Sequence, residues 1–398
     1  MMHSLMMAGP DLRLRGELPL YGSLRFKRCF WEVGSFQLTV KRGIPGWDSL
    51  SRETLLYLPE RPETALLAEK IIVDEEKVTV SGVPLKGLCK RRICVPQSVQ
   101  GDQYDGFGWD RFTGDGESAY LHYAAVNLTS PEDAKRKIPG LVLSENRHRG
   151  AVLPWQARFD KLTEVFADIG SATGLGWDVV PDLKERVLRF VVREGVDRTT
   201  GSRRAVLSRR LGNVDGASWT EDGTAEVGTV YAGGSGEDEN RLILSVGNTA
   251  EGLNRREGWA SLNGVSDVDM LRLGAERKLS PRKDSVTAEL LDSGLCRYGR
   301  DYDLGDVVTV VADDRQRNAR LTAVEETYED GKRTLKATFG EGPVTLTGLI
   351  REKLEREHCL ERRCRRHCLL PGSGAEPRET VRSTVIPSSE PAQRCSRW

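Results

Sequence analysis

FDKLTEVFADIGSATGLGWDVVPDLKERVLRFVVR, residues 159–193, carries two structural periods in one stretch. Phe159, Leu162, Val165, Phe166 and Ile169 recur at helical spacing, which predicts an amphipathic helix over Phe159–Ile169 that Gly170 or Gly174 stops. Gly176 to Val180 then reads as a strand and Pro181-Asp182 as a turn. Leu188, Phe190 and Val192 follow, alternating with Arg189, Val191 and Arg193 at the period of two that marks a second strand. Helix, strand, turn, strand places the chain among α+β folds.

Working outward, strand signals dominate. Phe36, Leu38 and Val40 alternate with Gln37, Thr39 and Lys41, and Ile71–Val73 and Val78–Val80 flank an acidic turn at Asp74-Glu75-Glu76, which predicts a hairpin. Ser81 to Pro84 ends that strand, and Leu85–Ile93 reads as a short helical stretch. Further strands are expected around Val286–Leu290, Val307–Val311 and Leu335–Phe339. Asp222-Gly223 and Asp330-Gly331 each sit between strand-like runs, where the pair supplies the two positive φ angles of a type I′ hairpin turn. Two more helices are expected. One runs from Glu117 to Leu128 and stops before Pro131; the other is capped by Ser266 and runs to Leu279, with Val268, Leu271, Ala275 and Leu279 on one face. The fold class is therefore α+β, mainly β, with a few packed helices.

The 398 residues exceed the usual reach of one core, so at least two domains are expected. The order read from composition is a flexible N-terminus (1–20), a β-rich domain (21–98), a linking helix and loops (99–155), a second β-rich region with helices (156–347) and a disordered Arg- and Cys-rich tail (348–398). That tail has too few apolar anchors to offset its ordering entropy.

Lys+Arg and Asp+Glu both number 59, so no net basic field exists to gather nucleic acid or an anionic membrane. No apolar run is long enough to span a bilayer, and residues 1–20 lack the basic start and apolar centre of a signal peptide. Cys29, Cys89, Cys94 and Cys296 are irregularly spaced, which fits buried thiols in a reducing compartment rather than a disulfide framework.

The motifs of catalysis are missing. There is no His-Glu-x-x-His for zinc, no phosphate-binding loop, and Gly174-Leu175-Gly176 is followed by Trp177-Asp178 rather than by the glycines of a dinucleotide turn. Gly233-Gly234-Ser235-Gly236 lacks the spacing of a nucleophile elbow. His122 and His148 read as structural histidines. Asp102, Asp105, Asp110, Asp115 and Glu117 could face a Ca²⁺ ion but miss the EF-hand spacing, so they read as solvated loop acids, as do Glu237, Asp238 and Glu239. His358, Cys359, Cys364, His367 and Cys368 hold enough soft ligands for one zinc, but their spacing misses the usual Cys pair and arginines crowd them. No catalytic, cofactor or metal residue is assigned. Residues 100–116, with Tyr104, Phe107, Trp109 and Phe112, form a long aromatic loop suited to contact.

In order along the chain, Phe30 to Leu38, Ser81 to Leu85 through Arg91-Arg92-Ile93, Ala119 to Asn127 with Ile138-Pro139-Gly140-Leu141, Leu162 to Trp177, Gly195 to Thr199, Gly212-Asn213-Val214, Tyr231 to Gly236 with Arg241, and Asp301 to Asp306 resemble siphophage and prophage minor tail proteins of Gram-positive hosts. The likeness covers roughly residues 20 to 345; the ordered series carries it. It implies β-barrel-like tail-hub domains and a structural, non-enzymatic role at the tail tip or baseplate hub. It also implies assembly as a homotrimer with distal tail, tape measure and fibre proteins, in a virion tail made in the host bacterial cytoplasm. A host-surface or carbohydrate-binding tail protein and a tail-associated peptidoglycan hydrolase are the alternatives. The segment after Leu349 does not look like a feature of that family.

Overall fold

Alternation of apolar and polar side chains builds most of the structure, a computed structural model that describes residues 4–96, 108–262, 265–276, 278–280, 282–291, 296–312 and 315–340. The N-terminal strands are β1 (Leu5–Ala8), β2 (Leu14–Leu18), β3 (Ser23–Cys29), β4 (Ser35–Lys41), β5 (Leu55–Leu58), β6 (Arg61–Val73) and β7 (Lys77–Pro84). In β4, Phe36, Leu38 and Val40 are buried while Ser35, Gln37 and Lys41 are exposed, the pattern expected of a strand with one face on a core. The β6–β7 hairpin closes at Val73↔Val78, as its sequence predicts, and Leu85–Arg91 forms a 3₁₀ helix.

The first twenty residues differ from expectation. They were expected to be flexible, yet β1 pairs with both β2 and β5. Leu5, Met7 and Leu18 are fully buried against Leu24, Phe26, Leu38 and Val80. Burial of these large apolar side chains outweighs the cost of ordering a short segment once a sheet edge is there to receive it.

A middle layer follows, with β8 (Asp110–Gly114), α1 (Gly116–Ala124), β9 (Leu141–Leu143), β10 (Leu153–Ala157), α2 (Leu162–Thr173), β11 (Leu175–Asp182) and β12 (Val187–Glu194). Asp115 caps α1 by accepting from the Ser118 amide at 2.8 Å, and a π turn at Ala125–Thr129 ends the helix before Pro131. Leu162, Val165, Phe166 and Ile169 are buried and Gly174 stops α2 at φ 73°, as predicted. Phe159, however, lies outside the helix at φ 56° and is half-exposed. Its amide donates to Cys94 O, and a bridge between Ile93 and Lys161 holds the lead-in extended. Pro181-Asp182 likewise stays in β11, paired with Leu188 and Val187. β11 is an edge strand of its three-stranded sheet, where proline is tolerated, so the reversal moves to 183–186.

The C-terminal elements are β13 (Val206–Ser208), β14 (Val214–Asp222), β15 (Thr229–Gly233), β16 (Ile243–Gly247), β17 (Glu257–Ser261), α3 (Val268–Glu276), β18 (Lys283–Leu290), β19 (Val307–Ala312), β20 (Arg315–Glu329) and β21 (Lys332–Gly340). Asp330-Gly331 makes the expected two-residue turn, with φ of 50° and 72° between the paired Glu329 and Lys332. Asp222-Gly223 does not make a hairpin with the next strand. β14 pairs instead with β18, Asp222 opposite Lys283, and the side chain of Asp222 accepts from Thr224 N at 2.9 Å and Thr224 Oγ1 at 2.6 Å. Residues 223–282 are thus inserted at the end of a strand pair. They form their own sheet, ordered β16-β15-β17, on which Leu271 and Ala275 of α3 pack against Val230, Ala232 and Ala260. The cap of α3 is Asp267 rather than Ser266: its side chain accepts from Asp269 N and its carbonyl from Leu271 N. Val268, expected on the buried face, is half-exposed.

Only the end of β20 was foreseen, as the strand-like run before Asp330-Gly331; the full strand organises the rest. Its first half pairs with β19, and its second half lies between β21 and β3. One path therefore runs β14-β18-β21-β20-β3-β4-β7-β6-β5-β1-β2, with β19 and β13 branching from β20. The strands of 21–98 and of 156–347, expected in separate domains, share this sheet. The chain is mainly β, and among the described residues the path is open, with β14 and β2 at its ends.

Candidate functional site

Four of the sequence blocks singled out above meet at one junction. Phe30 lies against Gly176 and Gly305, and a Cβ on either glycine would clash with its ring carbons. The indole N–H of Trp31 donates to Leu175 O at 3.0 Å, and that of Trp177 donates to Trp31 O at 2.7 Å. Gly170 leaves room for Trp31. Asp306 is buried and accepts from Val196 N at 2.8 Å, Arg198 Nε at 2.8 Å and Asp303 N at 3.1 Å. The Arg320 guanidinium sits 5.6 Å from the Phe30 ring and 5.9 Å from Trp31, where cation–π attraction adds to packing.

Two further charges are buried, Lys86 at this junction and Glu326 farther along β20, opposite Phe26 of β3. Glu326 of β20 is fully buried and accepts from Arg61 Nη1 at 2.9 Å, Arg333 Nη2 at 2.8 Å and Tyr328 Oη at 3.1 Å. Burial by itself would raise its pKa, but the two guanidinium groups hold it below the ordinary carboxylate range. Lys86, also buried, donates to Cys29 O at 2.8 Å, Trp177 O at 3.1 Å and Phe30 O at 3.4 Å and lies 4.4 Å from the Trp177 ring centre. Burial lowers its pKa to about 8, against an opposing pull from Asp178. Neither residue was singled out from the sequence. Glu326 occupies an inward slot of a strand whose alternation is broken by the irregularity at Leu321/Ala323, and Lys86 is one of four basic residues, with Lys90, Arg91 and Arg92, on the stretch Leu85–Ile93.

Residues 6–341 match the family described as Siphovirus ReqiPepy6 Gp37-like protein. The chain belongs to this family. No curated protein is matched by the sequence. Among solved structures, the chain is similar to the tail protein from Neisseria meningitidis MC58, with 14% identity, a TM-score of 0.50, and 87% of this chain and 98% of that chain covered. It is also similar to the 43 kDa tail protein of prophage MuSo2 from Shewanella oneidensis, with 10% identity, a TM-score of 0.51, and 84% and 98% covered. At these identities the likeness is one of fold.

Within this member of the Gp37-like family, several of the described sequence candidates for chemistry are bonded within the scaffold. His122 Nε2 lies 2.8 Å from Asp110 Oδ1, and its ring stacks on Phe112, 4.6 Å between centres. Phe112 is thus part of β8 and half-buried, rather than offered from a contact loop. Asp115 is taken up as the α1 cap and lies 3.2 Å from His148 Nδ1. Glu117 is buried and holds Arg149 through two 2.8 Å bonds, so Asp110, Asp115 and Glu117 each have partners of their own. Asp102, Asp105, Tyr104 and Phe107 lie outside the described residues, as does the His358–Cys368 cluster. Among the described residues no group of three or more His, Cys, Asp or Glu could hold a metal ion, and no helix is long and apolar enough to cross a membrane. Cys29, Cys89, Cys94 and Cys296 are free and buried, and burial pushes the Cys89 thiol up to about 12. The buried-thiol reading of these four holds.

Proposed function

We propose that this chain is a non-enzymatic structural subunit of a phage or prophage tail tip, part of the baseplate hub, made in the host cytoplasm and assembled into the virion tail. In this reading it forms a homotrimer and joins distal tail, tape measure and fibre proteins. The observation that carries the proposal is the family match over residues 6–341, which spans every strand described except the first residue of β1. Its fold is also shared with two tail proteins over 98% of their own length. The chemistry agrees: Glu326, Asp306 and Glu117 are each bonded by arginine within the scaffold, and Lys86 is spent on backbone carbonyls. Such groups lock strands in place.

The test is the native mass of the full chain over a range of concentrations, with negative-stain images of the same samples. Trimers that close into rings, alone or on co-expression with the neighbouring tail proteins, are the expected result. A monomer that joins no ring in either setting would overturn the hub reading.

A further inference from the structure

The inserted unit at 223–282 carries a surface that the hub reading leaves unused. Its three-stranded sheet buries Val230, Ala232 and Ala260 under α3; period two then sends Tyr231, Ile243, Ser245, Glu257, Trp259 and Ser261 to the other side. Trp259 is 52% exposed and Tyr231 37%, and the two are register partners on the parallel strands β17 and β15. Gly233 explains why the indole can lie down: a Cβ there would meet both the Trp259 ring and the Arg241 guanidinium. Strands ~4.8 Å apart hold the two rings about one sugar ring from each other.

Charged groups of both signs border these rings and are already held. Arg241 lies 5.4 Å from the Trp259 ring centre and donates to Ser261 Oγ at 3.0 Å and to Gly233 O and Gly234 O, each at 3.3 Å. Arg255 donates to Tyr231 Oη at 3.1 Å and pairs with Glu257, which also accepts from Tyr231 Oη at 3.3 Å. This arrangement discriminates between occupants. The centre of a protein interface is depleted of charge, and an apolar partner would strip water from the Arg255–Glu257 pair without replacing it. A hydroxyl both donates and accepts, so a ligand rich in hydroxyls satisfies guanidinium and carboxylate alike, while its C–H faces cover the two rings. Side chains fixed in advance lose little entropy on binding.

We propose that this face binds a glycan of the bacterial cell surface, with Trp259 and Tyr231 stacking on sugar rings and Arg241, Arg255, Glu257, Ser245 and Ser261 bonding to hydroxyls. The bacterial source rests on the tail-tip reading; the stacking chemistry does not.

The experiment applies the full chain to an array of immobilised bacterial surface polysaccharides and non-bacterial glycans, alongside Trp259→Ala, Tyr231→Ala and Trp259→Phe. Native mass and melting temperature are taken for each variant. Retention on bacterial polysaccharides is expected, reduced about tenfold or more by either alanine and largely kept by Trp259→Phe, with unchanged mass and melting. No retention on any glycan, or equal retention of wild type and both alanine variants, overturns the proposal. Retention on non-bacterial glycans alone overturns the source. If the alanines alter native mass while no glycan is bound, the face belongs to a protein interface and the proposal fails. A wild type that binds glycan yet joins no ring would count against the hub reading alone.

Discussion

At the junction, Phe30 is buried among Gly176, Gly305 and Arg320, whereas in the inserted unit Trp259 stands half-exposed on a sheet only three strands wide. The junction takes its residues from the segment just after β3, from α2, β11 and β20, from the segment after β12 and from the 301–306 turn, so it forms only when distant segments are all in place. The insertion takes everything from residues 223–282 and leaves and rejoins the main sheet at the paired Asp222 and Lys283. Stability and surface chemistry are thus lodged in different parts of one chain. Changes at the junction should be felt by the whole fold, and changes in the insertion only locally.

The largest effect is expected at Glu326. Glu326→Ala strands Arg61 and Arg333 without their carboxylate, and breaking a buried pair in this way costs about 3–5 kcal/mol, read from the urea midpoint. A loss no greater than that of an exposed salt bridge would mean the triad is not the clamp between β6, β20 and β21.

Lys86 comes next. Its folded pKa, about 8, is lowered from 10.5, so between those values the unfolded state binds more protons and stability rises with pH. The integrated gain is about 3 kcal/mol. Buried Cys89 and Tyr120 have raised pKa values and titrate with the opposite sign, so the Lys86 contribution is the difference in unfolding free energy between wild type and Lys86→Met across pH 7 to 10.5. Parallel curves would show that Lys86 is already as well served by its carbonyls as by water.

Gly305→Ala tests the steric side of the junction. Gly305 has φ 99° and abuts Phe30, so an added methyl strains both backbone and packing, at about 2–3 kcal/mol in thermal or urea unfolding. Full stability would show that Phe30 can move and that the junction is looser than described.

The smallest effect is expected from replacing residues 223–282 by a two-residue Asn-Gly turn between Asp222 and Lys283. A strand pair closed by a tight turn keeps its register, and the remaining sheet should melt within about 1 kcal/mol of the parent. Loss of folding would show that the insertion supports the main sheet and dissolve the contrast.

Local patterns were readable where neighbours in sequence supply the partners. The β4 alternation, the β6–β7 hairpin, the Asp330-Gly331 turn and the Gly174 stop all follow from period, φ preference or capping. The readings that failed depended on remote contacts. Phe159 has helical spacing but its amide is claimed by Cys94 O; Asp222-Gly223 has hairpin chemistry but its strand's partner lies beyond the insertion. In the site, Trp31, Trp177 and Asp306 were visible as parts of motif blocks, while their mutual contacts, Glu326 and Lys86 were not.

By itself, then, the sequence determined the mainly-β character, the turn and cap positions, the buried free thiols and the balance of charge, because backbone sterics and side-chain periodicity act over a few residues. Only the tertiary structure decided that β20 joins β3, that the first residues complete the sheet, and that Glu326 and Lys86 can remain inside. Those outcomes depend on which distant strands close together and which partners a buried charge then meets, and no local pattern contains that information.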